Sequence, residues 1–196
     1  MQYFLELCIK SVERAIADLN AEVIVVDNNS SDDSCQMVKQ KFPRVTLIEN
    51  KENVGFSKAN NQAVKQAKGD YVCILNPDTV VAEDTFTKIL DFAETKENLG
   101  IVGCRLVDGT GTFLPESKRN IPTVKIASQK LLGKSKHYYA NHVSETDIAE
   151  VSVFVGAFML MKTSVYKELN GFDEDYFMYG EDIDLSYRAL QHEYTN

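Results

Sequence analysis

The sequence predicts an α/β fold in which one mostly parallel sheet is flanked by helices. Short apolar, β-branched runs alternate with helix-length segments over the first hundred residues, which is the βαβ pattern of a parallel sheet. Polar stretches rich in Asp, Asn and Ser follow two of these runs and lead into helices. The 196-residue length, with 44% hydrophobic and 26% charged residues, fits a single globular domain with a sizeable core.

Hydrophobic spacing assigns each element in turn. Apolar residues at helical intervals predict amphipathic helices, and short continuous apolar runs predict strands that are buried on both faces. The predicted strands cover residues 23–26, 45–48, 71–75, 101–104 and 151–155. The predicted helices cover residues 3–18, 83–94 and 163–169, and three more are predicted to end at about 41, to begin at about 57 and to begin at 181.

Capping and breaking residues set several of these boundaries. Ser31 or Asp32 is the expected N-cap of the second helix, and Thr163 is the expected cap of the short helix near residue 165. Gly69 is expected to stop the third helix. Pro77 forbids further ladder pairing after the strand at 71–75. In the last helix, Ile183, Tyr187 and Leu190 are expected to share one face.

Residues 105–150 break the alternation. Glycines, prolines and lysines predict a loop-rich, locally basic insertion with some short helix. Arg119 within it is interpreted as a solvated loop charge, and contact with a phosphate or with the acceptor is the alternative. His137 and His142 lack the spacing of metal ligands and are interpreted as surface residues.

The net charge of −8 argues against nucleic acid as the main partner. Four scattered cysteines without a C-x-x-C pair indicate buried thiols in a reducing compartment. No apolar stretch approaches the roughly 20 residues of a membrane span, and no signal peptide opens the chain. We therefore expect a cytoplasmic protein, with peripheral contact to the inner face of the membrane left open and the oligomeric state undecided.

Polar residues at predicted strand ends are candidates for ligand binding, because ligands of open parallel sheets lie beyond the carboxyl ends of the strands. Asp27, with Asn28 and Ser30 beside it, offers donors and acceptors for a base or ribose. Asp78 offers one carboxylate for a hard divalent cation whose other oxygens come from a diphosphate. Taken alone, an Asn-Pro-Asp stretch is most often only a turn.

A third candidate is the carboxylate pair Glu181 and Asp182 in the first turn of the last helix. The positive end of the helix dipole keeps such an Asp ionised, and an ionised Asp can take a proton from a hydroxyl. The alternative is that the pair only caps a surface helix. Asp184 is expected to pair with Arg188 or with a backbone amide.

Four ordered stretches, at residues 25–32, 53–61, 75–79 and 171–188, resemble glycosyltransferase family 2, and the bacterial rhamnosyltransferase-like branch in particular. The resemblance runs from about Tyr3 to Arg188. It implies a GT-A fold and an inverting enzyme that moves a sugar from a UDP- or dTDP-linked donor to a glycan or lipid-linked acceptor in polysaccharide biosynthesis. Residues 1–104 would form the nucleotide-sugar half of one domain, and residues 105–196 the acceptor and catalytic half.

The resemblance also implies a role for each motif. Asp182 matches the catalytic base with Glu181 beside it, and Asp78 matches the carboxylate that holds Mg²⁺ or Mn²⁺. The remaining matches are Asp27, Asn28 and Ser30 at the nucleobase, Gly55 with Asn60 or Asn61 along the nucleotide pocket, and Gly156 and Ala157 at the turn that borders the acceptor.

Two departures from the family pattern keep other readings open. The family has a strand ahead of its first helix and further elements after its last, so the chain is expected to be truncated at both ends and to leave ladder groups unpaired. A catalytically inactive fragment that retains nucleotide or partner binding is the alternative. A nucleotidyltransferase would carry a Gly-rich phosphate loop after its first strand, and no such loop is present.

Overall fold

The computed structural model describes residues 1–121 and 138–196. The predictions that fall on Pro122, on the lysines at 125, 130, 134 and 136 and on His137 lie outside these residues. The helices and strands are α1 (Gln2–Ala15), β1 (Ile24–Asp27), α2 (Ser34–Lys41), β2 (Thr46–Glu49), α3 (Phe56–Gln66), β3 (Tyr71–Leu75), α4 (Thr85–Glu94), β4 (Phe158–Lys162), α5 (Thr163–Glu168) and α6 (Glu181–Gln191).

The strands form two pairs. β1 and β2 are parallel, with Ile24 opposite Thr46. β3 and β4 are antiparallel, with Tyr71 opposite Lys162. The α/β class is therefore confirmed, and β4 is a strand that the sequence reading did not assign.

Two predicted strands contribute only single bridges. Residues 101–104 pair with β4 at one point, where Val102 and Leu160 exchange backbone hydrogen bonds of 2.8 and 2.9 Å. The prediction of a strand there was wrong because Gly100, two residues before the bridge, donates its N–H to the Thr195 carbonyl at 2.8 Å and not to β4. Residues 151–155 likewise form one bridge, between Val153 and Arg119.

The pair of β3 and β4 is covered on both faces. Val72 and Ile74 pack with residues of α3, α5 and α6 in one buried cluster. Phe158 and Leu160 pack in a second cluster with residues of α1 and α4. A third cluster joins α1 to α2 near β1 and β2. Because strand side chains alternate between faces, each strand feeds both layers.

A cleft of about 910 Å³ lies between β1 and β3, with α1 and α3 on its two sides. The carbonyls of Val23, just before β1, and of Asp27, at its end, accept hydrogen bonds from the β2 side. Because backbone groups alternate in direction along a strand, the backbone N–H and C=O groups of Ile24 and Val26 point into the cleft. The backbone groups of Tyr71, Cys73 and Leu75 on β3 point into it as well.

These backbone groups have no hydrogen-bond partner in the described parts of the chain. The expected unpaired ladder groups are thus present, and the cleft beside them leaves β1 only half-buried where a fully buried strand was predicted. The four cysteines are free thiols, and Cys8 and Cys73 line this cleft.

Several local predictions need correction. The N-cap position of α2 is Asp33, but the Asp32 carboxylate accepts the Ser34 N–H at 3.1 Å. Thr163 does not cap α5; its hydroxyl donates to the Gly69 carbonyl at 2.6 Å and so ties α5 to the start of β3. Gly69 itself does not end α3, whose C-cap is Ala67.

The buried face of α6 also differs from the prediction. Leu185, Ser186 and Ala189 are fully buried, whereas Tyr187 is exposed. The face that packs on the core begins with Glu181 and Asp182. Hydrophobic periodicity does not identify a buried face that begins with charged residues. No helix within residues 1–121 and 138–196 combines the length and the apolar character that crossing a bilayer requires.

Candidate active site

Glu181 and Asp182 open α6, directly after Gly180, which has a φ of +101°. Both carboxylates are buried, at 6% and 7% exposure. They lie in the first turn, where unsatisfied backbone N–H groups give the helix a partial positive charge. The pair therefore lies in the first turn of the last helix, as predicted. The alternative of a pair on a surface helix is wrong, because both residues belong to the buried face of α6.

Asp182 is held by three donors. Its Oδ2 atom accepts a 2.6 Å bond from Arg119 Nη2 and a 3.1 Å bond from the Gly156 N–H, and its Oδ1 atom accepts the Ile183 N–H at 2.8 Å. A buried carboxylate paired with a guanidinium is fixed in orientation. Oδ1, bonded only to an adjacent amide, retains lone-pair capacity for a hydroxyl.

Arg119 is the functional candidate that sequence reasoning misjudged. Its exposure is 8%, so the interpretation as a solvated loop charge was wrong. A second bond, of 2.8 Å, runs from Nη2 to the Phe154 carbonyl, and its backbone pairs with Val153. Burial acts to lower the pKa of the Arg119 guanidinium, but the charge of Asp182 outweighs burial and raises the pKa.

Glu181 has an oxygen without a partner. Its Oε2 atom is buried and makes no hydrogen bond in the described part of the protein, and the same holds for Arg119 Nε. Burial, and then the nearby charge of Asp182, raise the pKa of the Glu181 carboxyl above its ordinary value. An orphaned buried carboxyl oxygen is costly, and a hydroxyl group of a ligand would satisfy it.

Asp27 lies at the end of β1 and is buried. Its Oδ2 atom accepts the Ser30 N–H at 3.0 Å. Burial acts to raise the pKa of Asp27, but hydrogen bonds, led by those from Ser30, lower it overall. The carboxylate therefore stays ionised, as an acceptor for ligand N–H or hydroxyl groups must.

The turn at residues 53–56 joins this strand end to α6. The Asn28 side chain donates to the Gly55 carbonyl at 3.2 Å, and the Phe56 N–H donates to the Phe177 carbonyl at 2.8 Å. Gly55 has a φ of +88°, and a Cβ there would lie 2.6 Å from the Phe177 carbonyl oxygen. Only glycine fits this approach without strain.

Asn60 and Asn61 make structural contacts on α3. Asn60 donates to the Phe56 carbonyl at 2.9 Å within the helix. Asn61 donates to the Phe172 carbonyl at 2.9 Å and accepts the Tyr166 hydroxyl at 2.6 Å. Asn61 therefore locks the segment before α6 in place, and the nucleotide role of both residues stays a prediction.

A continuous set of contacts brings the predicted residues to one edge of the fold. Gly156 donates to Asp182, and a Cβ on Gly156 would lie 3.3 Å from the Phe56 ring. The carbonyl of Ala157 accepts the Asn76 N–H at 3.1 Å, which places the turn carrying Asp78 beside the same loop. The segments of Asp27, Asp78 and Asp182 are thus linked through residues 55–56 and 156–157.

Asp78 is exposed at the end of β3. No group of three or more His, Cys, Asp or Glu residues able to hold a metal occurs in residues 1–121 and 138–196. Mg²⁺ is commonly held by one or two carboxylates, with substrate phosphates and water completing its octahedral shell. The donor set at Asp78 thus fits a divalent cation that arrives with a diphosphate, and not a metal site built by this part of the protein alone.

Comparisons with known proteins agree on one family. The family model described as glycosyl transferase family 2 matches residues 3–169. An N-acetylglucosaminyl-diphospho-decaprenol L-rhamnosyltransferase of Mycobacterium tuberculosis is 26% identical, over 90% of this chain and 65% of its own length. The rhamnosyltransferase WbbL of Escherichia coli is 28% identical, over 90% of this chain and 71% of its own length. The chain thus spans about two thirds of these relatives.

Among solved structures, the mannosyltransferase PcManGT of Pyrobaculum calidifontis, in complex with GDP-Man and Mn²⁺, superposes on the whole chain. The TM-score is 0.69 at 21% identity, and half of that protein is covered. Similarity at this level supports the fold, and the predicted GT-A class is confirmed.

Proposed function

Because the chain belongs to glycosyl transferase family 2, we propose that it transfers a sugar from a nucleotide-diphosphate donor to a glycan or lipid-linked acceptor. The family recognised from the four ordered motifs is the one whose model matches residues 3–169. The named relatives add that the acceptor of one of them is N-acetylglucosaminyl-diphospho-decaprenol. We propose that the acceptor of this chain has the same chemistry, a sugar that is linked to a lipid through a diphosphate.

The observation that carries the proposal is the setting of Asp182. It is a buried carboxylate at a helix N-terminus, oriented by Arg119 and in contact with the Gly156 turn. In a single displacement, the acceptor oxygen attacks the anomeric carbon while its proton passes to Asp182. The bond from the anomeric carbon to the diphosphate oxygen breaks, and the nucleoside diphosphate leaves with the electron pair. The anomeric configuration inverts.

On the donor side, the ionised Asp27, with Asn28 and Ser30, would bind the base or ribose. Gly55 brings the backbone close to the Phe177 segment, so the nucleotide pocket and the catalytic helix share a wall. A cation held by Asp78 and the diphosphate would supply charge neutralisation to the leaving group. The UDP or dTDP identity of the donor, the acceptor linkage and the predicted cytoplasmic location belong to the proposal.

Calorimetric titration with UDP, dTDP and GDP, each with and without Mn²⁺, tests donor binding. Incubation of the matching nucleotide sugar with an alkyl-linked N-acetylglucosaminyl diphosphate then tests transfer, read as a new glycoside by mass spectrometry. We expect Mn²⁺-dependent binding of UDP or dTDP and a product one sugar heavier. Binding without transfer would favour the inactive-fragment alternative, and no binding of any nucleotide would contradict the donor site.

A further inference from the structure

The cleft between β1 and β3 separates two strands that run in the same direction. The Lys68 N–H, just before β3, donates to the Glu22 carboxylate, just before β1, at 2.7 Å. Asn28, which follows β1, and Pro77, which follows β3, line the opposite end of the cleft. Both strands therefore begin at one end of the cleft and finish at the other.

The two strands direct unpaired backbone groups toward each other across this cleft. On β1 these groups belong to Ile24 and Val26, and on β3 they belong to Tyr71, Cys73 and Leu75. None of them has a backbone hydrogen-bond partner within residues 1–121 and 138–196. A row of free N–H and C=O groups along a strand is a template for pairing with a further strand. The cleft carries such a row on each of its two edges.

Apolar side chains form both walls of the cleft. Leu5, Ile9 and Val12 of α1 line one wall, and Ala59 and Ala63 of α3 line the other. Because successive side chains of a strand point to opposite faces, a strand in the cleft would bury its side chains against both helices. Such a strand has to be apolar at every buried position, as strands that are covered on both faces are.

The charged groups of the cleft lie where the two strands begin. Among the residues that line it, the charged ones are Glu22, Lys68 and Asp70, and each comes shortly before β1 or β3. Two carboxylates against one ammonium make this end of the cleft negative. A strand parallel to β1 would enter it with its N-terminal end, so a cation at that end would be attracted.

We propose that the cleft binds an extended segment of another polypeptide, which is apolar at its buried positions and runs parallel to β1 and β3. Backbone groups alternate in direction along a strand, so the inserted segment would bond β1 on one side and β3 on the other. A lipid tail would cover the same apolar walls but leave these groups unpaired, and the backbone therefore favours a peptide.

The proposal goes beyond sugar transfer and does not depend on it. Asp27 ends β1 and Asp78 follows β3. An inserted strand would therefore join the two segments that carry these carboxylates.

The test uses a synthetic peptide of sequence Lys-Lys-Val-Ile-Val-Ile-Val that is labelled at its C-terminus, and fluorescence anisotropy measures its Kd. The control peptide has Pro in place of the central Val, which keeps the apolar character but removes an N–H donor and disrupts strand pairing. We expect the control peptide to bind at least about tenfold more weakly. Amide hydrogen exchange in residues 24–27 and 71–75 should slow when the first peptide binds.

Two variants of α3 locate the binding to the cleft. Ala63→Leu puts a larger side chain into the cleft and should weaken peptide binding about tenfold, because overfilled apolar sites lose fit. Lys65→Leu adds an apolar side chain at an exposed position of the same helix and should bind the peptide as the wild type does.

Three results would overturn the proposal. They are no binding of the first peptide by the wild type, equal binding of the proline peptide, and unchanged amide exchange in both strands. Equal binding of the two peptides would show a general apolar site and not a strand site. Because the two peptides are compared on the wild-type protein, this result does not depend on how either variant folds.

Discussion

Arg119 Nη2 lies 2.6 Å from Asp182 Oδ2, and both side chains are buried. The pair joins the segment before the undescribed residues to the first turn of α6, across 63 positions of sequence. The hydrogen bond fixes the orientation of Asp182, and the guanidinium compensates its charge. Removing either residue would leave the other charge buried without compensation.

Arg119→Met should destabilise the protein by about 3–5 kcal/mol at neutral pH, since Asp182 would lose its counter-ion. Adding Asp182→Asn to this variant should recover most of the loss, because the buried charge is removed. Denaturant unfolding of the single and double variants measures both effects. The control is Arg105→Met, which breaks an exposed pair with Glu145 and should cost at most about 1 kcal/mol. Equal losses for Arg119 and Arg105 would contradict this account.

Glu181→Gln should raise the melting temperature at pH 7–8. The raised pKa of Glu181 means that the folded protein binds this proton more tightly than the unfolded chain does. That stabilisation is complete below the ordinary pKa of 4.5 and is lost as the pH rises through the folded-state pKa. The difference between wild type and Glu181→Gln should therefore vanish near pH 4. A Glu83→Gln control, at an exposed position, should show no such trend; a constant difference at all pH values would refute the interpretation.

Gly55→Ala should destabilise the fold by about 1–3 kcal/mol, because a Cβ at φ +88° would press on the Phe177 carbonyl. Gly109→Ala is the matched control: nothing lies within 4 Å of the added Cβ, and the expected change is under about 1 kcal/mol. Thermal melting of both variants checks this, and an equal loss of melting temperature in the two would be evidence against the contact.

The cleft between β1 and β3 should accept added volume. Ala63 lines the cleft, so Ala63→Leu should leave stability unchanged or increase it by burying apolar surface. Ala93 is fully buried in the cluster with α1 and β4, so Ala93→Leu should cost about 1–3 kcal/mol. Denaturant unfolding distinguishes the two. A comparable loss at both positions would mean that the cleft is closed in solution.

The sequence predicted correctly those elements whose boundaries are determined by neighbouring residues. The strand at residues 71–75 occurs where it was predicted, because its apolar run is bounded by Asp70 and by the Pro77 turn. The Glu181–Asp182 pair lies in the first turn of a helix, as expected, and Asp184 pairs with Arg188 at 2.6 Å.

The wrong predictions concern residues whose structure depends on partners far away in the sequence. The backbone at residues 100–101 is bonded to Thr195 and Asn196, so an apolar run that reads as a strand makes only one bridge. Arg119 stands among basic residues that suggest solvent, and its partner is 63 positions away. Neither relationship leaves a trace in the local pattern, so no spacing argument could have found it.

The central claim, that Asp182 is the base in sugar transfer, is tested most directly by the initial transfer rate of Asp182→Asn at saturating donor. The isosteric amide keeps the shape of the side chain and removes its ability to take a proton. We expect the rate to fall roughly 100- to 10,000-fold, with the nucleotide Kd within a factor of two of wild type. Transfer at the wild-type rate by a folded Asp182→Asn variant would contradict the account.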